Sequence, residues 1–456
     1  MRSRENNRRT APLRPLLAKE LREIAGGRAV WIMLLLTCPL VGYSLVQAVS
    51  LYTEASFPRQ QSPVLAASLS PLDGVLVPTF GALYVCVTLL FPFVAIRAVS
   101  HEKETGALSL LAQLPYGSAT LIGAKLAAVM VAWLLVSVPA LSALVFWVLL
   151  GGHLAPAETL NLLLGHLLYG LLVGAVALFA AAVAEGAATA AIVALAFTIG
   201  SWVLDFTVAG RPGLFDWVAR MSLTQTLRTF EQGLFSAATA FAMAATATGF
   251  AGLAGIWLRP GVLTRVRLAR SAACVLAAAI VIGIASQVRW SVDVSEDQRN
   301  SFAAGDQRAL ATLTAPLSIT VHLIPEDPRF TDLNRSVLTK LERAMPRVTV
   351  QLAAGAGERD PRYGEVEYVY GARSDVSRST SPREVLPLLY ALAEVAPPAP
   401  VPGGDYPGYP LVASGELALV WFLGVLPLLI ALAWSWSRRP PSLDSLLTKE
   451  VRHATG

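Results

Sequence analysis

Few side chains of this chain are placed to make or break bonds. The five histidines are scattered along the sequence. There is no Gly-x-x-x-x-Gly-Lys-Ser/Thr loop to hold phosphates, and no His-Glu-x-x-His, Cys-x-x-Cys or Gly-x-Ser-x-Gly pattern. We therefore expect that the chain is not an enzyme and does not hydrolyse ATP unaided. Of the functions that we consider for this chain, an enzyme embedded in the membrane is the least favoured, because the sequence shows no set of residues arranged for catalysis.

Three ionisable residues lie in or near long apolar runs, where charges are costly and usually functional. We interpret His166 as a neutral imidazole bonded to a neighbouring helix rather than as an ion relay. Glu185 is expected in a tight turn, and Asp205 is expected to reach water at the end of its run.

Residues 99–126 form a short polar and amphipathic stretch between two long apolar runs. Positions 107, 108, 111 and 114 share one helical face. We predict an amphipathic helix over 101–114, because such an apolar face is stabilised by docking into a groove of a partner. The leucines on that face are Leu108, Leu111 and Leu114, and Pro115 is expected to end the helix.

The rest of the chain has the composition of a polytopic membrane protein. It is 54% hydrophobic and only 15% charged, whereas soluble domains carry about 25% charged residues. Eight apolar runs reach the length of about 20 residues that a bilayer requires. They lie near residues 29–51, 75–99, 120–150, 159–184, 187–208, 235–258, 271–289 and 413–436. The three cysteines fall inside such runs and are interpreted as packed residues.

The basic residues predict the orientation of these spans. Eight arginines and lysines precede the first apolar run, and four arginines lie within 259–270. Residues 52–74, in contrast, contain a single basic residue, Arg59. The positive-inside rule then places both termini, including the tail 438–456, in the cytoplasm of a multi-pass protein of the plasma (inner) membrane. No basic groove studded with aromatic residues accompanies these charges, so nucleic acid is not an expected partner.

The basic segment 1–28 contains an amphipathic stretch over residues 12–25. Its apolar side carries Leu13, Leu17 and Leu21, and the opposite side carries Lys19, Glu20 and Arg22. We predict a helix that lies in the plane of the lipid headgroups and contacts membrane lipid. The alternative is a topogenic charge cluster whose amphipathic pattern arises by chance.

Residues 290–411 are far more polar than the runs around them. Strands are predicted over 317–324, 347–352 and 365–370, and helices over 332–345 and 381–393. The predicted fold class is mainly α. It is a bundle of eight spans, in which 29–289 hold spans 1 to 7 and 412–437 hold span 8. A small extracytoplasmic α/β domain with its linker, residues 290–411, is inserted between spans 7 and 8.

Three parts of the chain resemble two known families. Residues 99–126, with Glu104-Thr105-Gly106, Leu114-Pro115 and Gly123-Ala124-Lys125, resemble the cytoplasmic loop of the permease subunits of type 2 ABC transporters. The run from Leu16 to Glu23 resembles their entry helix. Residues 296–395, with Gly364-Glu365-Val366-Glu367-Tyr368, resemble the extracytoplasmic domain of gliding-motility-type auxiliary proteins of ABC exporters.

This resemblance implies a division of labour between chains. The 101–114 helix would contact a separate ABC ATPase subunit. The contact residues would be Glu102, Glu104, Thr105, Gly106, Leu108, Leu111, Leu114 and Pro115. The ATPase would bind the ATP, so that this chain needs no cofactor. A second permease half, identical or different, would complete the unit. The favoured interpretation is therefore a permease subunit of an ATP-driven exporter. The alternative is a non-transporting mechanotransmission scaffold, in which the same ATPase moves the outer domain. The sequence gives no substrate.

Overall fold

The computed structural model describes residues 13–59, 63–111, 113–114, 116–208, 222–259, 261–288, 290–325, 327–353, 360–399 and 406–438. Eight helices in these ranges are long and apolar enough to cross a membrane, which confirms the predicted mainly α, polytopic bundle. We call them spans 1 to 8. Their bounds are Arg28–Ser56, Leu72–Glu104, Ser118–Leu149, Pro156–Val183, Ala187–Leu204, Ala237–Trp257, Thr264–Ala285 and Glu416–Ser437.

Two of the spans are interrupted where the sequence places a proline. Span 2 breaks at Leu90, directly before the turn that contains Pro92, and span 3 breaks at Ser137 before Pro139. Proline has no backbone N–H to donate, so an α-helix restarts more easily with proline in its first turn than it continues through one. The two spans nevertheless keep their direction and count as single crossings.

Span 4 lies in the centre of the bundle and packs against spans 2, 3, 5 and 6. Gly170 of span 4 approaches Trp133 of span 3 so closely that a Cβ on the glycine would overlap the indole ring. Close approach of this kind is typical of helices that pack within a membrane. Span 7 packs mainly on span 6, and most of its surface is exposed.

Short helices connect or flank the spans. The amphipathic helix predicted over 12–25 is present as Leu13–Gly26, and a second one, Leu223–Glu231, packs on span 4. A two-stranded antiparallel sheet pairs β1 (Leu234–Ser236) with β2 (Ser291–Asp293), and it joins the start of span 6 to the chain that leaves span 7.

The polar segment after span 7 contains a four-stranded sheet in the order β4-β3-β5-β6. Its strands are β3 (Leu317–Val321), β4 (Val348–Leu352), β5 (Val366–Tyr370) and β6 (Arg373–Ser377). Only the β3–β4 pair is parallel. Residues 328–344 form the helical connection between β3 and β4, and the helices Ala304–Ala311 and Pro382–Ala393 flank the sheet in sequence. Buried side chains form a core of their own, including Ile319, Val337, Tyr368 and Leu389.

Candidate functional site

The segment 101–114, which we call the coupling segment, is not one helix, and the prediction of a continuous helix there is wrong. Span 2 continues to Glu104, and a separate helix of five residues spans Ala107–Leu111. The break lies at Gly106, whose φ of +73° is strained for any residue with a side chain. The backbone N–H and the hydroxyl of Thr105 both donate to His101 O, at 3.0 and 2.8 Å, and so close the end of span 2.

The leucines of the coupling segment divide between two surroundings. Leu108 and Leu111 are half-buried and pack against a small cluster formed by Leu16 and Leu121. Leu110 is 65% exposed and Leu114 is 47% exposed. The apolar face predicted to dock into a partner is therefore partly covered by the chain itself. Leu114 of that face remains exposed, and Leu110, which was not predicted on that face, adds exposed apolar surface. Pro115 lies outside the described residues.

A buried ion cluster includes Glu102 of the coupling segment. It lies where spans 2 and 3 meet the amphipathic helix Leu13–Gly26. Its centre is Lys125, in the second turn of span 3, whose side chain has no exposed surface. The Lys125 ammonium lies 3.0 Å from both carboxylate oxygens of Glu20 and 2.8 Å from Glu102 Oε2. It also donates to Ala98 O at 2.7 Å. Three elements therefore share one cation.

Lys19 completes the cluster from its exposed side. Its ammonium pairs with Glu102 Oε1 and lies 3.3 Å from Glu20 Oε1 and 3.1 Å from Glu23 Oε1. Burial lowers the pKa of Lys19, but the hydrogen bond to Glu102 and the two buried carboxylates outweigh it and raise the pKa above its usual range. Burial raises the pKa of Glu20, although the Lys125 ammonium acts in the opposite direction.

The carboxylates of Glu20, Glu23 and Glu102 lie close enough together to resemble a metal site, since their oxygens fall within 4.8 Å of one another. The two ammonium groups already lie among these oxygens, at the distances of ion pairs. We therefore assign the cluster as an ionic link between helices rather than as a metal centre.

The cluster corrects the expected orientation of the amphipathic helix. Glu20, predicted on the solvent side, is fully buried, and Lys19 is half-buried. Arg22 is exposed as predicted, while Leu17 and Leu21 are half-buried. The helix turns Glu20 inward because the ammonium of Lys125 needs a counter-charge where it is removed from water. The side chain of Leu13 lies outside the described residues.

Lys103, next to Glu102, makes a second link to the bundle. Its ammonium donates to the carbonyl oxygens of Ala181, Ala182 and Ala184, at 2.6, 2.8 and 2.9 Å. These carbonyls lie at the end of span 4, where an α-helix leaves its last acceptors without partners. At the end of span 2, Glu102 thus contacts span 3 and the amphipathic helix Leu13–Gly26, and the next residue, Lys103, contacts span 4.

The opposite end of span 2 is held by Arg299, in the chain that follows span 7. Its guanidinium is almost completely buried, pairs with Asp73 in the first turn of span 2, and lies 2.8 Å from Asp297 Oδ2. It also donates to Ser70 Oγ at 2.7 Å. Burial lowers the pKa of Arg299, but the aspartates Asp297 and Asp73 overcome that effect and raise it.

Further contacts join the polar segment to spans 1 and 4. The backbone N–H of Glu296 donates to Glu158 Oε1 in the first turn of span 4 at 2.6 Å. His153 Nε2 lies 2.9 Å from Glu296 Oε2, and its ring stacks on Tyr409 at 3.6 Å. The hydroxyl of Tyr52 in span 1 donates to Tyr409 O at 2.7 Å. No pattern of residue spacing predicts these contacts.

His166 lies in the middle of the bundle, where the sequence places it. It is buried, its ring lies over Phe80 at 5.1 Å, and its Nε2 is 3.5 Å from Glu231 Oε1 of the helix Leu223–Glu231. Glu185 is exposed in the turn between spans 4 and 5, as expected. The side chain of Asp205 lies outside the described residues.

No protein-family model, curated protein or solved structure matches this chain. The assignment to type 2 ABC permeases therefore stays a prediction that rests on the residues of the coupling segment and the amphipathic helix.

Proposed function

We propose that this chain is the membrane-spanning permease subunit of an ATP-driven ABC exporter, and that a separate ATPase subunit drives it through the coupling segment. The observation that carries the proposal is the pair of links made by Glu102 and Lys103. A force applied to the exposed leucines Leu110 and Leu114 reaches the end of span 2 within a few residues. From there the ion cluster and the carbonyl contacts pass it to spans 3 and 4.

Physical chemistry explains why the ion cluster is suited to this task. Removing one partner of a buried ion pair costs about 3–5 kcal/mol, because the remaining charge is left without water or counter-charge. A displacement of span 2 that separated Glu102 from Lys125 would meet that cost. The linked helices therefore move together rather than apart, and span 2, with about 30 residues between Asp73 and Glu102, carries the displacement over about 45 Å.

The proposal includes an orientation and partners. The end of the bundle with the coupling segment faces the cytoplasm, as do both termini, and the four-stranded unit after span 7 is an extracytoplasmic α/β domain. A second permease half pairs with this chain in the plasma membrane, and the ATPase subunit binds the ATP. We expect the ATPase to meet Leu110 and Leu114, because both are apolar and exposed.

Co-purification with matched variants tests the proposal. The tagged full chain is isolated from its native membrane, its partners are identified by mass spectrometry, and ATP hydrolysis is measured. We expect a protein with an ABC-type phosphate loop to bind wild type and to be lost from Leu110→Glu, because burying one charge in an apolar groove costs several kcal/mol. Leu263→Glu places the same charge on a leucine that is 76% exposed near span 7 and serves as the control.

Three results would contradict the proposal. They are ATP hydrolysis by the purified chain alone, a wild-type chain with no such partner, and equal retention of the ATPase by Leu110→Glu and Leu263→Glu. Leu108→Glu and Leu111→Glu are less informative, since their leucines also pack against Leu16 and Leu121, and loss of binding would then include loss of structure.

The mechanotransmission alternative is favoured by a different observation, the contacts of Arg299 with span 2. They tie the four-stranded unit to the helix that the ATPase would move. In this version the four-stranded unit moves on the outer side of the membrane, and no solute crosses the membrane. ATP-dependent efflux from vesicles that contain the whole complex would favour the exporter. ATP-dependent cross-linking of the outer unit without efflux of any solute would favour the scaffold.

A further inference from the structure

A groove between spans 3 and 6 is not used by the proposed function. Its volume of about 420 Å³ lies within the range of small-ligand sites. Ile122, Gly123 and Leu126 of span 3 form one wall, and Ala251 and Gly255 of span 6 form the other. These walls offer an apolar slot between two helices, which suits a hydrocarbon chain and does not suit a polar solute.

The mouth of the groove is cationic. Arg259, just after span 6, and Arg270, in the second turn of span 7, both line it and are both exposed. Arg259 Nε donates to Ser118 Oγ at 3.0 Å at the start of span 3. In the part of the chain that the structure describes, neither guanidinium is paired with a carboxylate. The mouth lies at the end of the bundle that carries the coupling segment, since span 6 ends and spans 3 and 7 begin there.

We propose that this groove binds an anionic phospholipid, with one acyl chain between spans 3 and 6 and the phosphate headgroup on Arg259 and Arg270. Guanidinium groups match phosphate oxygens in geometry and charge. An apolar slot that ends in two unpaired cations is complementary to an amphiphile with a negative head. A zwitterionic lipid fills the slot and offers the same phosphate, but its quaternary ammonium lies close to that phosphate and reduces the net attraction to the two guanidinium groups. Inorganic phosphate matches the mouth without filling the slot.

Gly123 provides a way to fill the groove without disturbing its walls. A Cβ at Gly123 meets no other atom within 4 Å, whereas one at Gly255 would contact Ile122 Cγ1 at 3.7 Å. A leucine at position 123 would therefore extend into the space assigned to the acyl chain. Leucine also favours a helix more than glycine does, so Gly123→Leu is expected to fold.

Native mass spectrometry of the purified full chain tests this site. The chain is exchanged into micelles with equal amounts of phosphatidylglycerol and phosphatidylcholine, and bound lipid is counted. We expect wild type to retain phosphatidylglycerol and Gly123→Leu to lose it. Arg270→Gln is expected to weaken retention about tenfold, since a charge-assisted hydrogen bond to phosphate contributes at least ~1.4 kcal/mol.

Two variants serve as controls. In Gly283→Leu the leucine also meets open space, on span 7, and in Arg265→Gln an exposed arginine of the same end is neutralised outside the groove. Both are expected to bind lipid as wild type does.

Equal retention of the two lipids by wild type would overturn the proposal, as would unchanged binding in Arg270→Gln. Displacement of the lipid by inorganic phosphate alone would indicate an anion site without an acyl-chain slot, which also overturns it. If Gly123→Leu does not fold, the exposed substitution Arg270→Gln decides.

Discussion

Lys125 is the residue on which the buried ion cluster depends. Its side chain has no exposed surface, and its charge is compensated by Glu20 and Glu102 from two other elements. Buried pairs of this kind add little stability compared with apolar side chains of the same volume, but they become very costly when one partner is removed. The cluster therefore specifies how three helices meet more than it stabilises each of them.

We expect Lys125→Met to destabilise the bundle by about 3–5 kcal/mol, because Glu20 and Glu102 would then be buried without their main counter-charge. Adding Glu20→Gln and Glu102→Gln to Lys125→Met is expected to recover most of that loss, since no uncompensated charge remains. Thermal unfolding of the purified chain in one detergent measures both variants. Equal stability of the single and the triple variant would show that Lys125 acts through packing alone.

At the scale of elements, Gly106 determines where span 2 ends and the short helix Ala107–Leu111 begins. Its positive φ, rather than crowding, constrains the position, because a Cβ there would meet nothing within 4 Å. Gly106→Ala is expected to strain the break by about 1–2 kcal/mol, and to weaken ATPase binding by redirecting Leu110. Gly106→Asn, which tolerates this backbone conformation better, should lie between alanine and wild type.

Binding of the ATPase to these two variants is measured by the same co-purification. Gly81→Ala is the matched control, since Gly81 lies within span 2 in open space with no positive φ and alanine favours the helix. If Gly106→Ala binds the ATPase as well as Gly81→Ala does, the break at Gly106 has no part in coupling.

The sequence predicts elements well where hydropathy and periodicity act locally. The eight apolar runs and the amphipathic helix Leu13–Gly26 follow directly from hydropathy and spacing. The polar edge strand Arg373–Ser377 was missed, since its exposed residues show no apolar alternation. The inward turn of Glu20 was also missed, because it depends on Lys125, which lies 105 residues away. A lysine in the second turn of an apolar span is the one signal that would have indicated a buried acidic partner.

For the whole molecule, the orientation of the chain is a prediction that a labelling experiment decides. Ser374→Cys places a thiol on the exposed strand Arg373–Ser377, and Ser109→Cys places one on the exposed side of the coupling segment. A membrane-impermeant reagent applied to intact cells is expected to label position 374 only. The native cysteines are buried or half-buried and provide the background. Labelling of position 109 instead would show that the chain has the opposite orientation and would rule out the proposed site of the ATPase.

The two ends of span 2 connect the coupling segment to the four-stranded unit after span 7, which we propose to be extracytoplasmic and call the outer unit. Arg299 makes the connection at that end of span 2. Replacing it by methionine keeps much of the volume but removes the bonds to Asp73, Asp297 and Ser70. The two aspartates retain some access to water, so the loss is expected to be modest, about 1–3 kcal/mol. It should appear as faster hydrogen exchange in residues 290–400, while the spans keep their protection.

The decisive comparison is made in a complex with the proposed ATPase subunit. If span 2 moves the outer unit, the change in exchange of residues 290–400 that ATP causes in wild type should disappear in Arg299→Met, while ATPase binding remains. Arg308→Met is the control, because Arg308 is exposed and its guanidinium bonds only within its own helix among the described residues. Retention of the ATP-dependent change in Arg299→Met would mean that force reaches the outer unit by another route, such as Glu158 and Glu296. If Arg299→Met loses both the ATP-dependent change in exchange and solute efflux, transport requires the outer unit to move. If it loses the ATP-dependent change but keeps efflux, export does not require that movement.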